Sequence, residues 1–199
     1  ASMAVFCDHK HSEAFASQFA RKFHLAVHEI DVVLSRLGIG TYEGLTAKPP
    51  EKLEDAVTRA VCRGINVIDT APNYYLGKAE YAVAEALTRL QSDHGVSRSS
   101  IFLATKVGNY RHPKKESQLS AFRRKWSGSY YCFDPDYIEF SINQSIEALS
   151  VDALDCVFLH NPEVVLKEHG AHITDLLEEI VPVFETFCND GKLRYWGIS

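Results

Sequence analysis

The stretch Ile65–Tyr75, INVIDTAPNYY, begins as an apolar run and ends on two tyrosines. Its β-branched residues favour a buried strand. The strand stops at the acid Asp69, and Tyr74 and Tyr75 follow within a short loop. A buried strand that ends on a carboxylate places polar chemistry at the end of a sheet, so other strands of the chain should be compared with it.

Composition and charge limit the classes of protein. Hydrophobic residues make up 46% of the 199 residues and charged residues 24%, which is typical of a globular domain. The net charge of −5 gives no electrostatic reason to expect a nucleic-acid partner. No apolar run approaches the roughly 18 residues of a membrane span, and the start ASMAVFCDHKH lacks the apolar core of a signal peptide. We therefore expect a cytoplasmic protein without a membrane partner.

The five cysteines are scattered and form no C-x-x-C pair, a pattern typical of reduced thiols in a cytosolic enzyme. Cys62, Cys156 and Cys188 lie in apolar patterns, so we predict that they are small core residues. The segment Cys7–His11 carries metal-ligand residue types, but their spacing matches no standard zinc pattern. We predict no metal site.

Apolar runs typical of strands occur around residues 65, 101, 154 and 193, with amphipathic helices between them. Nearly continuous apolar runs are expected for parallel strands that helices cover. A Rossmann sheet would carry G-x-G-x-x-G after its first strand, and the loop at Gly38–Gly40 lacks it. A (β/α)8 barrel places its chemistry at the carboxyl ends of its strands, and we predict this α/β fold.

The N-terminal region carries an additional helical pattern. The spacing of Phe15, Phe19 and Phe23 predicts an amphipathic helix that contains all three residues. We interpret residues 1–33 as a helical extension with an entry strand, and residues 34–199 as part of a barrel. The helix would lie on the barrel's surface or cover an open edge of its sheet.

The ends of the predicted parallel strands carry unusual residues. Any one of them could be a solvated residue at a strand exit. Three of them, an aspartate, a lysine and a histidine, are titratable groups of complementary type, and together they favour a functional site. Carboxyl ends of parallel strands meet at one edge, so we expect these residues to converge. They are Gly40–Thr41, Asp69, Lys106, His160 and Ser199.

Four of these side chains make chemical sense together. A tyrosine has a pKa near 10, which a neighbouring ammonium lowers. A carboxylate can hold the lysine charged and oriented, and an imidazole can donate to a substrate oxygen as negative charge develops. We predict that Asp69, Tyr74, Lys106 and His160 form a proton-relay site for carbonyl chemistry.

Four segments in order, IDTAPNYYLGKAE, LATKVG, DCVFLHNPE and GKLRYWGIS, resemble the aldo-keto reductase family. The resemblance implies a (β/α)8 barrel, of which this chain holds about five of the eight strands. It implies hydride transfer between NADP(H) and an aldehyde, ketone, or sugar carbonyl or lactol. It also implies the family's catalytic tetrad, matched by Asp69, Tyr74, Lys106 and His160, with Tyr74 as proton donor.

The resemblance assigns further residues. The family tyrosine lies five positions after the aspartate, so Tyr74 is its match and Tyr75 is interpreted as a wall of the substrate pocket. Glu80 fits the glutamate that follows in the family. The segment Gly40–Tyr42 resembles the one near the nicotinamide, and Ser199 resembles the serine that binds its carboxamide.

The implied cofactor-binding residues are therefore Gly40, Thr41, Asp69 and Ser199. The segment from about residue 108 to residue 134 is long, basic and aromatic, and we predict a solvated loop whose aromatic residues fold over the pocket mouth. Its basic residues are Arg111, His112, Lys114, Lys115, Arg123, Arg124 and Lys125, and its aromatic candidates are Tyr110, Trp126, Tyr130 and Tyr131.

Two other functions remain open at this point. Some relatives in the family are channel-associated subunits, so the barrel could bind or regulate a partner without turnover. A partial barrel could also assemble with a second chain, either a copy of itself or the remainder of the barrel. We expect the full-length protein to be an enzyme, and these 199 residues alone to have weak activity or none.

Overall fold

The computed structural model describes residues 4–20, 22–42, 52–112 and 125–199. Strands and helices alternate along the chain from residue 39 onward, as the sequence predicts. The strands are β1 (His24–Val27), β2 (Val32–Ser35), β3 (Ile39–Gly40), β4 (Val67–Asp69), β5 (Phe102–Val107), β6 (Leu154–Leu159) and β7 (Leu193–Ile198). The α-helices are α1 (His9–Ala16), α2 (Leu53–Cys62), α3 (Lys78–His94), α4 (Pro135–Leu149), α5 (Pro162–His169) and α6 (Ile173–Asn189).

Strands β3 to β7 form one parallel sheet in chain order. The register places Asp69 opposite Ala104, and Lys106 opposite Phe158. Five parallel strands with helical crossovers confirm the predicted barrel-type α/β fold. The sheet is open among the described residues, with β3 and β7 as its edge strands.

Helices α4 and α6 each bury an apolar stripe in the core that they share with the sheet. In α6 this stripe is Leu176, Ile180, Phe184 and Phe187, at the three- and four-residue spacing of one helix face. Full burial of such a side chain stabilises the fold by about 1.5–3 kcal/mol relative to exposure. Helix α4 presents a similar stripe beside it, so the sheet and its helices share one core.

The strands β1 and β2 form an antiparallel hairpin apart from the parallel sheet. The side chain of Asn66, just before β4, accepts a hydrogen bond from Ser35 N at 2.7 Å and donates one to Val33 O at 2.9 Å. Arg194, at the start of β7, donates to Ile30 O at 2.9 Å. The hairpin therefore closes the amino-terminal end of the sheet rather than one of its edges.

Helix α1 is shorter than the phenylalanine spacing predicts. It starts at His9, where the side chain of Asp8 accepts from His11 N at 2.9 Å, and it ends at Ala16. Phe19 lies beyond the helix and turns back onto Phe15, with ring centroids 5.1 Å apart. The helix prediction was wrong for residues after Ala16 because the aromatic residues gather around a ring on β1 instead of along one helix face.

That ring belongs to His24, which lies 6.0 Å from Phe15, 5.9 Å from Phe19 and 5.1 Å from Phe23, between ring centroids. His24 Nε2 lies 2.8 Å from Gly64 O, so the cluster is attached to the end of α2. The three phenylalanines therefore do share one apolar site. Spacing alone could not show that β1 supplies its centre.

The cysteines divide between the core and the surface. Cys7, Cys132 and Cys156 are buried, and burial raises the pKa of each thiol to about 12. Cys188 is half-buried. Cys62 is exposed, so the prediction of a core residue was wrong there, because Cys62 lies on the outer side of the last turn of α2.

Across the described ranges, no helix combines the length and the apolar character that a membrane crossing requires.

One buried carboxylate connects three segments at the amino-terminal end of the sheet. Asp155 accepts from Cys7 N at 2.7 Å, from Leu103 N at 2.9 Å and from Arg98 at 2.7 Å. The Asp155 side chain is fully buried and that of Arg98 nearly so. The N-terminal segment, β5 and β6 therefore depend on a single charge.

We expect Asp155→Asn to lower the free energy of unfolding by about 3 kcal/mol, because it leaves the buried Arg98 charge without its partner. Urea denaturation of the full-length protein measures the loss. Asp190→Asn, the same change at an exposed residue, should alter the stability by less than about 0.5 kcal/mol. Equal effects of the two substitutions would contradict the assigned role.

Candidate active site

The parallel ladder brings the predicted residues to one edge of the sheet. Beyond the strand ends, Thr41 N donates to Asp69 O at 3.0 Å, His160 N to Val107 O at 2.9 Å, and Ser199 N to Leu159 O at 3.0 Å. Each bond extends the ladder past the last residue of a strand. The backbones that carry the candidate side chains are thus held in register with one another.

An ion pair joins β4 to β5 at this edge. Lys106 Nζ lies 2.7 Å from both carboxylate oxygens of Asp69 and 2.9 Å from Thr70 O. These contacts match the three donors of an ammonium group. The side chain of Lys106 is 8% exposed, whereas that of Asp69 keeps 40% of its surface exposed. The carboxylate offsets the cost of burying the lysine charge and fixes where that charge lies.

Tyr74 lies over this ion pair. Lys106 Nζ is 5.0 Å from the centroid of the Tyr74 ring, a cation–π distance. The ring of His160 meets the same ring edge-on, with centroids 5.9 Å apart and planes at 82°. Tyr42 packs against it at 4.9 Å. The four predicted side chains Asp69, Tyr74, Lys106 and His160 are therefore neighbours.

The imidazole of His160 is neutral at neutral pH. Burial lowers its pKa, and the nearby charge of Lys106 lowers it further, to about 4, against a smaller opposite effect of Glu163. Its Nδ1 lies 3.1 Å from the side-chain nitrogen of Asn109. When the amide nitrogen donates, Nδ1 is the acceptor and the ring proton lies on Nε2. Such an imidazole can donate to a substrate oxygen.

The loop that presents Tyr74 has an unusual backbone. Tyr75, Leu76 and Gly77 all have positive φ angles, of 53°, 57° and 84°. Tyr75 is 4% exposed and its side chain belongs to the hydrophobic core. Its prediction as a wall of the substrate pocket was therefore wrong, because the Tyr75 side chain packs in the core shared by the sheet and its helices.

A buried network of hydrogen bonds and an ion pair supports this loop. Glu80, fully buried on α3, accepts from Thr105 Oγ1 at 2.7 Å and forms an ion pair with Arg111. Arg111 also lies against Gly77, where an added Cβ would be 2.9 Å from Arg111 Cγ. The network therefore links the Tyr74 loop to the strand that carries Lys106.

Arg111 departs from the prediction of a solvated basic loop, since it is only 6% exposed. A buried carboxylate on the neighbouring helix, Glu80, accounts for this difference, and the local basic composition concealed it. Lys125 does lie at the surface, where it contacts Glu179. His112 is half-buried, and the other predicted basic residues Lys114, Lys115, Arg123 and Arg124 lie outside the described residues.

The aromatic residues of this loop are mostly internal. Tyr110, Trp126 and Tyr131 are buried, and Tyr131 donates to Glu168 on α5. Tyr130 is exposed. Three of the four candidates for the pocket mouth are therefore core residues of the loop. They attach the described part of the loop to the barrel.

The predicted cofactor-binding residues occupy different environments. Gly40 and Ser199 are exposed, at the ends of the two outermost strands β3 and β7, and no described residue other than its chain neighbours comes within 4 Å of the position that a Cβ of Gly40 would take. Thr41 is buried, and its hydroxyl donates to Thr70 Oγ1 at 2.8 Å. Asp69 is engaged by Lys106. Gly40 and Ser199 are thus accessible, whereas Thr41 holds the strand ends together.

Asn109 was not singled out in the sequence. It lies two residues beyond β5, after the segment T-K-V-G, so a polar side chain next to a strand end was the available signal. Its partner is distant in the chain. Only the tertiary structure shows that this amide meets His160.

The model of the Aldo/keto reductase family matches residues 36–199. Over 179 residues the chain is 30% identical to the uncharacterized oxidoreductase YqkF of Bacillus subtilis (strain 168), covering 90% of this chain and 48% of that protein. It is 31% identical over 147 residues to D-arabinose 1-dehydrogenase of Saccharomyces cerevisiae, covering 74% and 36%. The chain thus spans about half or less of these curated relatives.

Solved structures of aldo-keto reductases have a similar fold. Aldo-keto reductase AKR11C1 from Bacillus halodurans, in its holo form, has a TM-score of 0.59 at 27% identity, covering 88% of this chain and 49% of that one. The fold is shared with an aldo/keto reductase from Klebsiella pneumoniae in complex with NADP and acetate, with a TM-score of 0.58 at 22% identity and the same coverage. Because the family model covers residues 36–199, most of the chain, the chain belongs to the aldo/keto reductase family of oxidoreductases.

Proposed function

We propose that the full-length protein is an NADP(H)-dependent oxidoreductase that interconverts a carbonyl group and an alcohol. The observation that carries this proposal is the cluster at the carboxyl edge of the sheet, where the Lys106–Asp69 ion pair lies under Tyr74 and His160. Membership of the aldo/keto reductase family supports it.

Each side chain has a role in this proposal. Tyr74 supplies the proton to the substrate oxygen in reduction and removes it in oxidation. His160 donates from Nε2 to the same oxygen and so stabilises developing negative charge. Lys106, held by Asp69 and Thr70 O, places a positive charge beside the tyrosine ring. Asp69 acts through the lysine as a positioning residue.

The chain offers a suitable place for the nicotinamide. The accessible polar and small groups at the edge, Ser199 at the end of β7 and Gly40 at the end of β3, lie on either side of the tetrad strands. The hydroxyl of Ser199 can hydrogen-bond a carboxamide, and Gly40 presents no side chain beside the site. NADP(H), when bound, supplies or accepts the hydride. The NADP complex of the Klebsiella pneumoniae relative supports this cofactor.

Substrates of this site would be small aldehydes, ketones, or sugar carbonyls and lactols. The D-arabinose 1-dehydrogenase and an L-galactose dehydrogenase of Arabidopsis thaliana, 26% identical over 169 residues, favour the sugar class. The exposed ring of Tyr42 beside Tyr74 provides an apolar face that a sugar ring could contact. Turnover of D-arabinose and L-galactose by the full-length protein, with NADP, tests this substrate class.

Tyr74→Phe should lower kcat at least about 10²-fold in the full-length protein, because it removes the proton donor. Binding of NADPH, measured by fluorescence titration, should change little because the ring remains. The control is Tyr75→Phe, which also removes one hydroxyl but alters a core residue; it should retain most of the turnover.

The opposite ranking of these two variants would assign the proton transfer to Tyr75 and contradict the proposal. Binding of NADPH by the wild type without turnover of any carbonyl substrate would support a binding or regulatory barrel instead. Light scattering on the same sample tests for assembly with a second copy.

The pKa of His160 provides a test that is independent of activity. Burial and the Lys106 charge disfavour protonation, so the imidazole should remain neutral down to about pH 4. Lys106→Met removes the repulsive charge, and the His160 pKa should rise towards its ordinary value. An NMR titration of the ring protons measures both values. An unchanged pKa in Lys106→Met would show that the lysine charge does not act on His160.

A further inference from the structure

The loop after β5 places one amide against the imidazole of the site. Asn109 Nδ2 lies 3.1 Å from His160 Nδ1, and the contact is partly shielded from solvent. An imidazole that accepts at Nδ1 carries its proton on Nε2 when neutral. The contact therefore bears on which ring nitrogen can donate to a ligand.

The backbone on both sides of Asn109 is held in place. Asn109 forms an antiparallel bridge with Tyr131, and Tyr110 N donates to Tyr130 O at 2.9 Å. Cys132 N donates to Gly108 O at 2.7 Å. These backbone hydrogen bonds hold the Asn109 backbone in place, so its side chain starts from a fixed position beside His160.

The residue before Asn109 also constrains the loop. Gly108 has a φ of 112°, and an added Cβ would lie 2.2 Å from the ring of Phe133. Only glycine allows this combination of a left-handed backbone and close ring packing. Tyr131, the bridge partner of Asn109, donates in turn to Glu168 on α5. The segment that follows β5 and the segment around Tyr131 are thus paired with each other, and Tyr131 joins them to α5.

Several groups compete to determine the state of the His160 ring. Lys106 on β5 repels a proton, and Glu163 on α5 attracts one. Tyr74 packs edge-on against the ring, with centroids 5.9 Å apart. Burial and these charges determine whether the ring is charged. The Asn109 amide lies within hydrogen-bond distance of Nδ1, so it bears directly on which nitrogen of the neutral ring carries the proton.

We propose that Asn109 is a positioning residue: its side-chain amide donates to His160 Nδ1 and so holds the imidazole in the tautomer with its proton on Nε2. This inference rests on the proposed function for its catalytic meaning, because the Nε2 proton is the one that meets the substrate oxygen. The tautomer itself is a property of the protein without substrate.

The first test is the tautomer in the full-length wild-type protein. Long-range ¹H–¹⁵N correlation spectra at pH 7 should show His160 with an unprotonated Nδ1 and a protonated Nε2. A ring protonated on Nδ1 would overturn the inference, whatever the activity. If the expected tautomer is found but no carbonyl substrate is turned over, the positioning role stands and the proposed function fails.

The second test compares two substitutions that a space-filling role would rank in the opposite order. Asn109→Asp keeps the shape but accepts from Nδ1–H, so it should reverse the tautomer and lower kcat/KM at pH 7 by roughly 10²-fold. Asn109→Leu changes the shape but leaves both tautomers accessible, so its loss should be smaller. A smaller loss for Asn109→Asp than for Asn109→Leu would overturn the positioning role.

The pH profile separates this effect from a folding defect. The new carboxylate also raises the His160 pKa, and the imidazolium regains a proton on Nε2. The kcat of Asn109→Asp should therefore rise as the pH falls through that raised pKa, a limb that the wild type lacks. The matched control is Asn143→Asp on the exposed face of α4, which should leave both the profile and the tautomer unchanged. Thermal unfolding confirms that each variant is folded.

Discussion

The parallel register of β4, β5 and β6 is the constraint on which the site depends. Pairing of Asp69 with Ala104 and of Lys106 with Phe158 brings an acid and a base from separate strands to the same edge. The ammonium of Lys106 then meets both carboxylate oxygens at 2.7 Å. A register shifted by one residue would turn Lys106 to the other face of the sheet and remove the ion pair.

The two ends of the sheet use buried charge for different purposes. At the amino-terminal end, Asp155 and Arg98 are both shielded, and Cys7 N of the N-terminal segment donates to Asp155. At the carboxyl end, Lys106 is buried but Asp69 remains accessible. An ion pair that is fully buried can only stabilise the fold. A charge that lies beside accessible polar groups can also interact with a ligand.

A single loop supports the site at two points. Asn109 contacts the imidazole of His160, and Arg111 pairs with Glu80 beneath the turn that carries Tyr74. The two residues lie on either side of Tyr110, which is buried. The turn that carries Tyr74 and the imidazole of His160 are therefore both supported by the same segment, so changes in this loop would affect both side chains together.

The sequence by itself determined the parallel α/β fold and the strand ends, because apolar runs and the residues that terminate them are local patterns. It also indicated Asp69, Lys106 and His160 as neighbours, since parallel strands share one edge. Tertiary structure decided what depends on distant partners: the core position of Tyr75, the burial of Arg111 by Glu80, and the place of the N-terminal hairpin under the sheet. These outcomes follow from packing and charge pairing between segments far apart in the chain, which local spacing does not encode.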